Sequence, residues 1–271
     1  MRELIIILLL TSFGYGQSAH VQNPLLSDRF LVTVGIYWPS DDYAVGVNGS
    51  SQKNNSFDFD ENFNVKNNHI TPVIGFHWRF TKKWHLNTEY FQLGYKRRAT
   101  LENDIQWGDY TFKAGTSAEA GISLNMYRIA LGRTIYQNDR FLMIGGLGLH
   151  AMNIKAFIEG NAYINDEQFS SERVSVKGVA PLPNITLTSL YVFSKKISGS
   201  FRIDWFALNI DQFSGGLWDI NPILYFQAFE HLGFSMGYNF FDFNFEFDDQ
   251  NWKGTFETIY HGPSIGITSN F

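Results

Sequence analysis

The chain has 271 residues, a formal net charge of -5 and no cysteine. This length suits one all-β domain, and the lack of cysteine excludes disulfides, thiolate metal sites, a cysteine nucleophile and a lipidated cysteine. The mild acidity argues against a nucleic-acid partner, and the mean hydropathy of -0.16 excludes a bundle of membrane-spanning helices.

The N-terminus has the pattern of a secretory signal. Arg2 precedes an unbroken apolar run over residues 4–10, and Gly14 and Gly16 place small residues where a signal peptidase cuts. The apolar run is too short for a membrane anchor, because a spanning helix needs ~20 residues. The sequence therefore predicts a cleaved signal peptide over residues 1–16 and a mature domain over residues 17–271, exported to the outer membrane of a Gram-negative bacterium.

The mature region reads as a series of β-strands separated by turn residues. Aromatic residues make up 17% of the chain, as the aromatic girdles of a transmembrane barrel require. Ten stretches alternate in character: residues 29–38, 69–80, 84–97, 118–136, 141–158, 174–193, 197–210, 217–228, 232–246 and 254–271.

The connections alternate between short and long. The short ones are 81–83, 137–140, 194–196 and 229–231, and the long ones are 39–68, 98–117, 159–173, 211–216 and 247–253. Outer-membrane barrels have short periplasmic turns and long external loops. The predicted fold class is therefore all-β, a single transmembrane antiparallel up-and-down barrel of about ten strands. Twelve strands are the alternative if 39–68 contains another pair, and eight if the weaker pairs fail.

Alternation within the strands separates a lipid face from a lumen face. In the second strand Ile74, Phe76 and Trp78 share one face, whereas His77 and Arg79 share the other. The apolar row must face lipid, because a charge near the bilayer midplane costs ~2–4 kcal/mol. A soluble β-sandwich also alternates, but it does not explain an apolar row that continues to the last residue.

That last row consists of Ile265, Ile267 and Phe271. An aromatic end to the final strand is common in bacterial outer-membrane proteins. We predict that these three residues act as a membrane-assembly signal read by the barrel assembly machinery.

Four segments resemble landmarks of one protein family: residues 101–112, 145–150, 180–183 and 260–263. The family is a broadly distributed and largely uncharacterised group of outer-membrane barrels, loosely grouped with small OmpA-like barrels. The resemblance spans nearly the whole mature chain. It implies the fold, contact with outer-membrane lipid and lipopolysaccharide, and no catalytic residues or cofactor.

The sequence contains no residue pattern that favours an enzyme. Barrel phospholipases and lipid A deacylases place histidine and serine two residues apart on one strand, and none of the seven histidines is followed by serine two residues later. His261 and Ser264 are three apart, which puts them on opposite faces of a strand. A lipid-modifying enzyme assembled from separate strands remains the third alternative for function.

Metal binding is also disfavoured by the spacing of the ligand types. His77 and Glu89 could meet across a hairpin, but no two histidines have ligand spacing. Acidic loop residues offer oxygen ligands for calcium, although they match no defined calcium loop, and solvated carboxylates are the favoured interpretation. These residues are Asp41, Asp42, Asp58, Asp60, Glu61, Asp248 and Asp249.

Charged residues on the predicted lumen face are the most informative feature. Six point inward by alternation: His77, Arg79, Glu89, Arg128, Arg202 and Asp204. A barrel of this size is filled by its own side chains, and buried charges must pair. We expect a salt-bridge plug, and hence a structural or surface-interacting barrel with external loops free to bind an unidentified ligand. The second alternative is a narrow channel lined by the same residues.

Overall fold

The computed structural model describes residues 23–48, 56–58, 70–107, 110–164, 167–210, 213–248 and 253–271. This part of the chain contains one 3-10 turn, Pro24–Leu26, and fourteen strands. No helix in it is both long enough and apolar enough to cross a membrane. The strands are β1 Phe30–Tyr37, β2 Ser40–Asn48, β3 Ser56–Asp58, β4 Thr71–Arg79, β5 Trp84–Thr100, β6 Ile105–Trp107, β7 Tyr110–Phe112, β8 Ser117–Gln137, β9 Phe141–Ile164, β10 Glu167–Val192, β11 Ile197–Ile210, β12 Phe213–Gln227, β13 Leu232–Asp248 and β14 Lys253–Asn270.

Ten of these strands form a closed antiparallel wall. The order is β1, β4, β5, β8, β9, β10, β11, β12, β13 and β14, and β14 pairs back onto β1. Closure gives each of these ten strands a partner on both sides, as a sheet in lipid requires. The predicted fold class and the count of ten strands are confirmed, and the alternatives of eight and twelve are wrong.

The long connections contain more strand than predicted. Residues 40–48 were assigned to a loop, but β2 pairs with β14 directly beyond the end of β1. The break lies at Trp38 and Pro39, where proline has no amide hydrogen for the ladder. Gly262 fits opposite this break because a side chain there would collide with the Trp38 carbonyl. β2 and β3 form a hairpin on the wall without adding to the ten strands.

Strands next to the other long loops also extend further than predicted. β9 and β10 pair as far as Ile164 and Glu167, and the β6–β7 hairpin continues the sheet along β9. These extensions lie beyond the apolar belt, so both faces can be polar and the alternation fades. The strand boundaries on the short-turn side, where the belt begins, were predicted to within two residues.

The outer surface of the wall is an apolar belt between two aromatic girdles. On β8, Ile129 and Leu131 are about half exposed, whereas Arg128 and Ala130, which alternate with them, are buried. Tyr127 and Tyr136 bracket this stretch, which matches the ~9–11 residues of a membrane-spanning strand. Paired rings mark the girdle on the long-loop side: Tyr90 with Tyr127 at 4.8 Å and Trp205 with Trp218 at 6.2 Å.

The N-terminal turn closes the short-turn end of the lumen. Leu26 packs inside the wall against Leu142, Ile144 and Val192. Asn23 caps the turn by accepting a hydrogen bond from the Leu25 amide, and its own amide reaches the carbonyls of the 194–196 turn. One end of the barrel is therefore filled by the segment that precedes its first strand.

Two sets of predicted features lie outside the described residues. The predicted signal peptide, residues 1–16, is one of them. The other comprises the loop carboxylates proposed for calcium: Asp60, Glu61 and Asp249 are not described, and the side chains of Asp41, Asp42, Asp58 and Asp248 are not described either.

Candidate functional site in the barrel lumen

An ion pair between β8 and β11 crosses the middle of the lumen. Arg128 Nε donates to Asp204 Oδ2 at 2.5 Å, and Arg128 Nη2 donates to Asp204 Oδ1 at 2.9 Å. The same Nη2 also donates to Thr186 Oγ1 at 3.1 Å. The two side chains are 2% and 0% exposed, so the pair is dry. A two-pronged guanidinium–carboxylate contact is the geometry that offsets such desolvation.

Arg202 extends the pair into a network. Its Nη2 donates to Asp219 Oδ2 at 2.9 Å, its Nη1 donates to Glu89 Oε2 at 3.2 Å, and its Nε lies 3.5 Å from Asp204 Oδ2. Glu89 lies on β5 and Asp219 on β12, so the contacts cross the lumen. The network ties four separate strands of the wall together through their interior side chains.

His150 of β9 lies next to two carboxylates of this network. Its Nε2 is 3.2 Å from Asp219 Oδ2 and 3.8 Å from Asp204 Oδ2, while its Nδ1 is 3.0 Å from Asn184 Oδ1. Gly148 precedes it on the same face, where a side chain would collide with the Asn184 amide. The absence of a side chain at Gly148 therefore leaves room for Asn184 in the lumen.

The structure brings together four of the six predicted lumen residues. These are Glu89, Arg128, Arg202 and Asp204. His77 and Arg79 also face inward but lie closer to the short-turn end: His77 Nδ1 is 2.7 Å from Asn87 Oδ1, and Arg79 Nη1 donates to the Leu26 carbonyl at 2.6 Å. His77 and Glu89 are diagonal neighbours and not directly opposite each other, because register places Asn87 opposite His77 and Gly75 opposite Glu89.

Sequence reasoning missed Asp219 and His150, which complete the network. Both positions follow from alternation, since Trp218 and Leu147 on the same strands face outward. Asp204 and Asp219 are directly opposite each other on β11 and β12. Because two buried carboxylates face each other there, the pairing predicts that more than one cation is needed to balance their charge.

An apolar layer covers the charges on the long-loop side. On three strands, the inward residue next to a network residue on its loop side is apolar. Phe91 lies beside Glu89 on β5, Met126 beside Arg128 on β8, and Met152 beside His150 on β9. Four rings form its centre, with Phe241 stacked on Tyr260 at 4.5 Å and Phe91 edge-on to Tyr260 at 5.5 Å. Tyr37 is the fourth, 6.1 Å from Phe91. This aromatic layer separates the charge network from the loop end.

A polar cavity of about 140 Å³ lies beside the network. Small residues on β1, β4, β11, β13 and β14 leave this space, and Glu89, Arg202 and His77 project into it. Asn221 also lines it, donating to Asn239 Oδ1 at 2.8 Å. The lumen is therefore filled less tightly beside this cavity than around the Arg128–Asp204 pair.

One group in the lumen has the residue types of a metal site. Ligand atoms of His150, Asp204 and Asp219 lie within 4.8 Å of one another. The two carboxylates are already bonded by Arg128 and Arg202, and these guanidinium charges repel a divalent cation. The negative charge of the two carboxylates is therefore balanced by the arginines, which disfavours a metal ion at this position.

The predicted membrane-assembly residues all lie on the outside of the last strand. Ile265, Ile267 and Phe271 are about half exposed on the apolar belt. The Phe271 ring is 5.2 Å from that of Phe30. Its carbonyl accepts hydrogen bonds from the Arg29 and Phe30 amides, so the last residue helps to close the seam between β14 and β1.

Comparisons with known proteins show the fold and no family. No protein-family model matches the sequence, and no curated protein matches it. The structure is similar to the outer membrane protease OmpT from Escherichia coli, with a TM-score of 0.57 and 8% identity over 90% of this chain and 97% of that one.

Two further structures match with lower scores. They are the toluene transporter TodX of Pseudomonas putida (TM-score 0.33, 8% identity, 96% and 95% of the two chains) and the outer membrane protein OprG of Pseudomonas aeruginosa (TM-score 0.36, 11% identity, 94% and 99%). Scores this low carry no argument about function. The likeness to OmpT shows that this chain has the fold of an outer-membrane β-barrel.

Proposed function

We propose that this chain is an integral outer-membrane protein with a sealed lumen, and that it acts through its walls and external loops. The observation that carries the proposal is the stacking of two layers inside the barrel. Arg128 and Asp204 form a dry pair, and the rings of Phe241 and Tyr260 lie above it. Ions that crossed the lumen would have to break buried ion pairs and pass an aromatic layer, and both steps are costly.

In this proposal the network holds the wall together. Its charges connect β5, β8, β11 and β12, which are not all neighbours in the sheet. The function is then structural or depends on surface interaction, with the ligand of the external loops unidentified. The proposed family of small uncharacterised outer-membrane barrels, with export through a signal peptide and insertion by the barrel assembly machinery, is consistent with this role.

A narrow channel is the second candidate, and the polar cavity is the observation that favours it. Glu89, Arg202 and His77 project into about 140 Å³ of space, as charged side chains do in selective pores. Conduction would require the Tyr37, Phe91, Phe241 and Tyr260 layer to part. The sealed barrel is the better supported proposal because that layer is continuous ring to ring.

Planar-bilayer conductance separates these two candidates. We expect no steady ionic current through the wild-type protein. A variant combining Phe241→Ala and Tyr260→Ala with Arg128→Met and Asp204→Asn should show small current steps, because it opens the aromatic layer and removes the dry ion pair. Those steps would demonstrate that the protein has inserted. Stable, ion-selective current through the wild type would contradict the sealed barrel.

We also propose that the chain is not an enzyme. The similar OmpT structure is a protease, but 8% identity carries only the fold. Among the described residues, the His150–Asp219 pair resembles half of a catalytic group, yet it is buried beneath the aromatic layer. Assays for lipid A deacylation, phospholipid hydrolysis and peptide cleavage should give no turnover above that of a His150→Ala variant. Turnover lost in that variant would overturn the proposal.

A further inference from the structure

A group of cationic side chains lies on the outside of the wall, on the long-loop side of the aromatic girdle. We call this group the basic patch. It combines five cations with two carboxylates on β5, β8, β9 and β10. Its members are Lys96, Arg98, Glu119, Lys155, Glu159, Arg173 and Lys177.

The height of the basic patch corresponds to the headgroup region of a membrane. Lys155 lies opposite Ser123, which is four residues beyond the girdle residue Tyr127 on β8. At ~3.3 Å per residue and a strand tilt of ~40°, this places Lys155 roughly 10 Å above the girdle. Directly below, on the same face as Lys177, Val179 is 71% exposed. Along β10 the outward side chains thus change from apolar at Val179 to cationic at Lys177, whereas Asn153 lies opposite Val179 on β9.

Two lysines of the patch face each other without a partner. Lys155 and Lys177 are directly opposite on β9 and β10, both exposed and both pointing outward. Residues in such positions have Cβ atoms about 4.5–5.5 Å apart, and like charges there destabilise the pair. Within the described ranges neither lysine forms a hydrogen bond or an ion pair, so no described residue relieves the repulsion.

The remaining cations of the patch are already held in place. Lys96 and Arg98 lie 3.5 Å from the two oxygens of Glu119, and Arg173 lies 3.2 Å from Glu159. Arg173 also stacks over the Phe157 ring at 3.8 Å. These contacts fix charged groups on the loop side of the lysine pair. Across the barrel, the outward residues Asp242 and Glu257 are acidic, so within the described part of the chain the outward charge differs between the two sides.

We propose that the basic patch binds the phosphate groups of a phosphorylated glycolipid of the outer leaflet, such as the lipid A part of lipopolysaccharide. A phosphate between Lys155 and Lys177 would turn their repulsion into two charge-assisted contacts. The apolar belt below, including Val179, would receive the acyl chains. The proposal depends on the outer-membrane location proposed above and is independent of whether the lumen conducts.

Binding to purified, bis-phosphorylated lipid A tests the proposal. The wild type, a Lys155→Gln/Lys177→Gln variant and a Lys82→Gln/Lys83→Gln control, altered at an exposed short turn, would be compared in detergent by native mass spectrometry. We expect affinity to fall about tenfold or more in the patch variant and to stay unchanged in the control. Equal binding by the wild type and the patch variant would overturn the proposal.

The choice of lipid identifies the group that is recognised. Dephosphorylated lipid A should bind the wild type as weakly as intact lipid A binds the patch variant. Inorganic phosphate and phosphatidylglycerol should bind more weakly than lipid A. Equally tight binding of either would show a general anion site and overturn the assignment to a glycolipid.

A single substitution separates binding from stability. Lys177→Glu gives Lys155 an opposite charge, so the lipid-free barrel should unfold at a higher temperature than the wild type while lipid A binding falls. A fall in both would indicate that Lys177 is needed by the fold itself, and it would overturn the proposal.

Discussion

At the scale of single residues, Asp204 is tolerated inside the barrel because two guanidinium groups face it. Arg128 contacts both of its oxygens, and Arg202 approaches within 3.5 Å. Removing one partner of such a pair leaves a buried charge without compensation, which costs far more than removing both. The energetic role of the network can therefore be measured by comparing single and double variants.

We predict that Arg128→Met and Asp204→Asn each destabilise the folded barrel by about 3–5 kcal/mol, and that the double variant loses less than the sum. Urea unfolding in lipid vesicles gives the free energies. Arg173 and Glu159, which are 56% and 38% exposed, provide a matched outer pair. Its loss should cost at most about 1 kcal/mol. Near-silent changes at Arg128 and Asp204 would indicate a wide, wet lumen.

At the scale of strands, the first and last elements are joined by few residues. β1 has eight residues, and its partner β14 ends one residue before the chain does. The Phe271 amide donates to the Phe30 carbonyl, and the Phe271 carbonyl accepts from the Arg29 and Phe30 amides. The seam that closes the barrel thus depends on the final residue.

We predict that deletion of Phe271 lowers the amount of heat-modifiable, folded barrel in cells. The deletion removes seam hydrogen bonds worth about 0.5–1.5 kcal/mol each and a ring contact with Phe30. Phe271→Leu keeps the backbone contacts and should retain more folded protein than the deletion does. Phe229→Ala, at an exposed turn aromatic, should have little effect. Unchanged insertion of the deletion variant would show that the terminal aromatic is incidental.

At the scale of the whole molecule, the apolar belt makes the folded barrel unsuited to water. Side chains such as Val34, Ile74, Leu224 and Met236 are about half exposed around the entire wall. Contiguous apolar surface of this extent requires lipid or a partner to cover it. The chain must therefore reach its membrane before it folds.

We predict that removal of residues 1–16 keeps the protein in the cytoplasm as unfolded or aggregated chain. The apolar run over residues 4–10 and the Gly14-Tyr15-Gly16 step carry this expectation. Cell fractionation of the truncated and full-length proteins is the measurement. Recovery of the truncated protein in the outer membrane would contradict it.

The sequence by itself determined the wall of this protein. Alternation has a period of two residues and belongs to each strand alone, so Ile74 and His77 could be assigned to opposite faces without knowledge of any partner. The short turns and the terminal Phe271 were equally local signals. Ten strands and the inward direction of Arg128, Arg202 and Asp204 followed from the same pattern.

Only the tertiary structure decided which inward groups meet. Arg128 and Asp204 lie on β8 and β11, so their contact depends on closure, strand tilt and register, none of which is written in one strand. The same holds for His77, which faces Asn87 and not Glu89. It also holds for residues 40–48, which form a strand because β14 is long enough to pair with them. Local patterns direct a side chain inward, whereas its partner is chosen by strands distant in sequence.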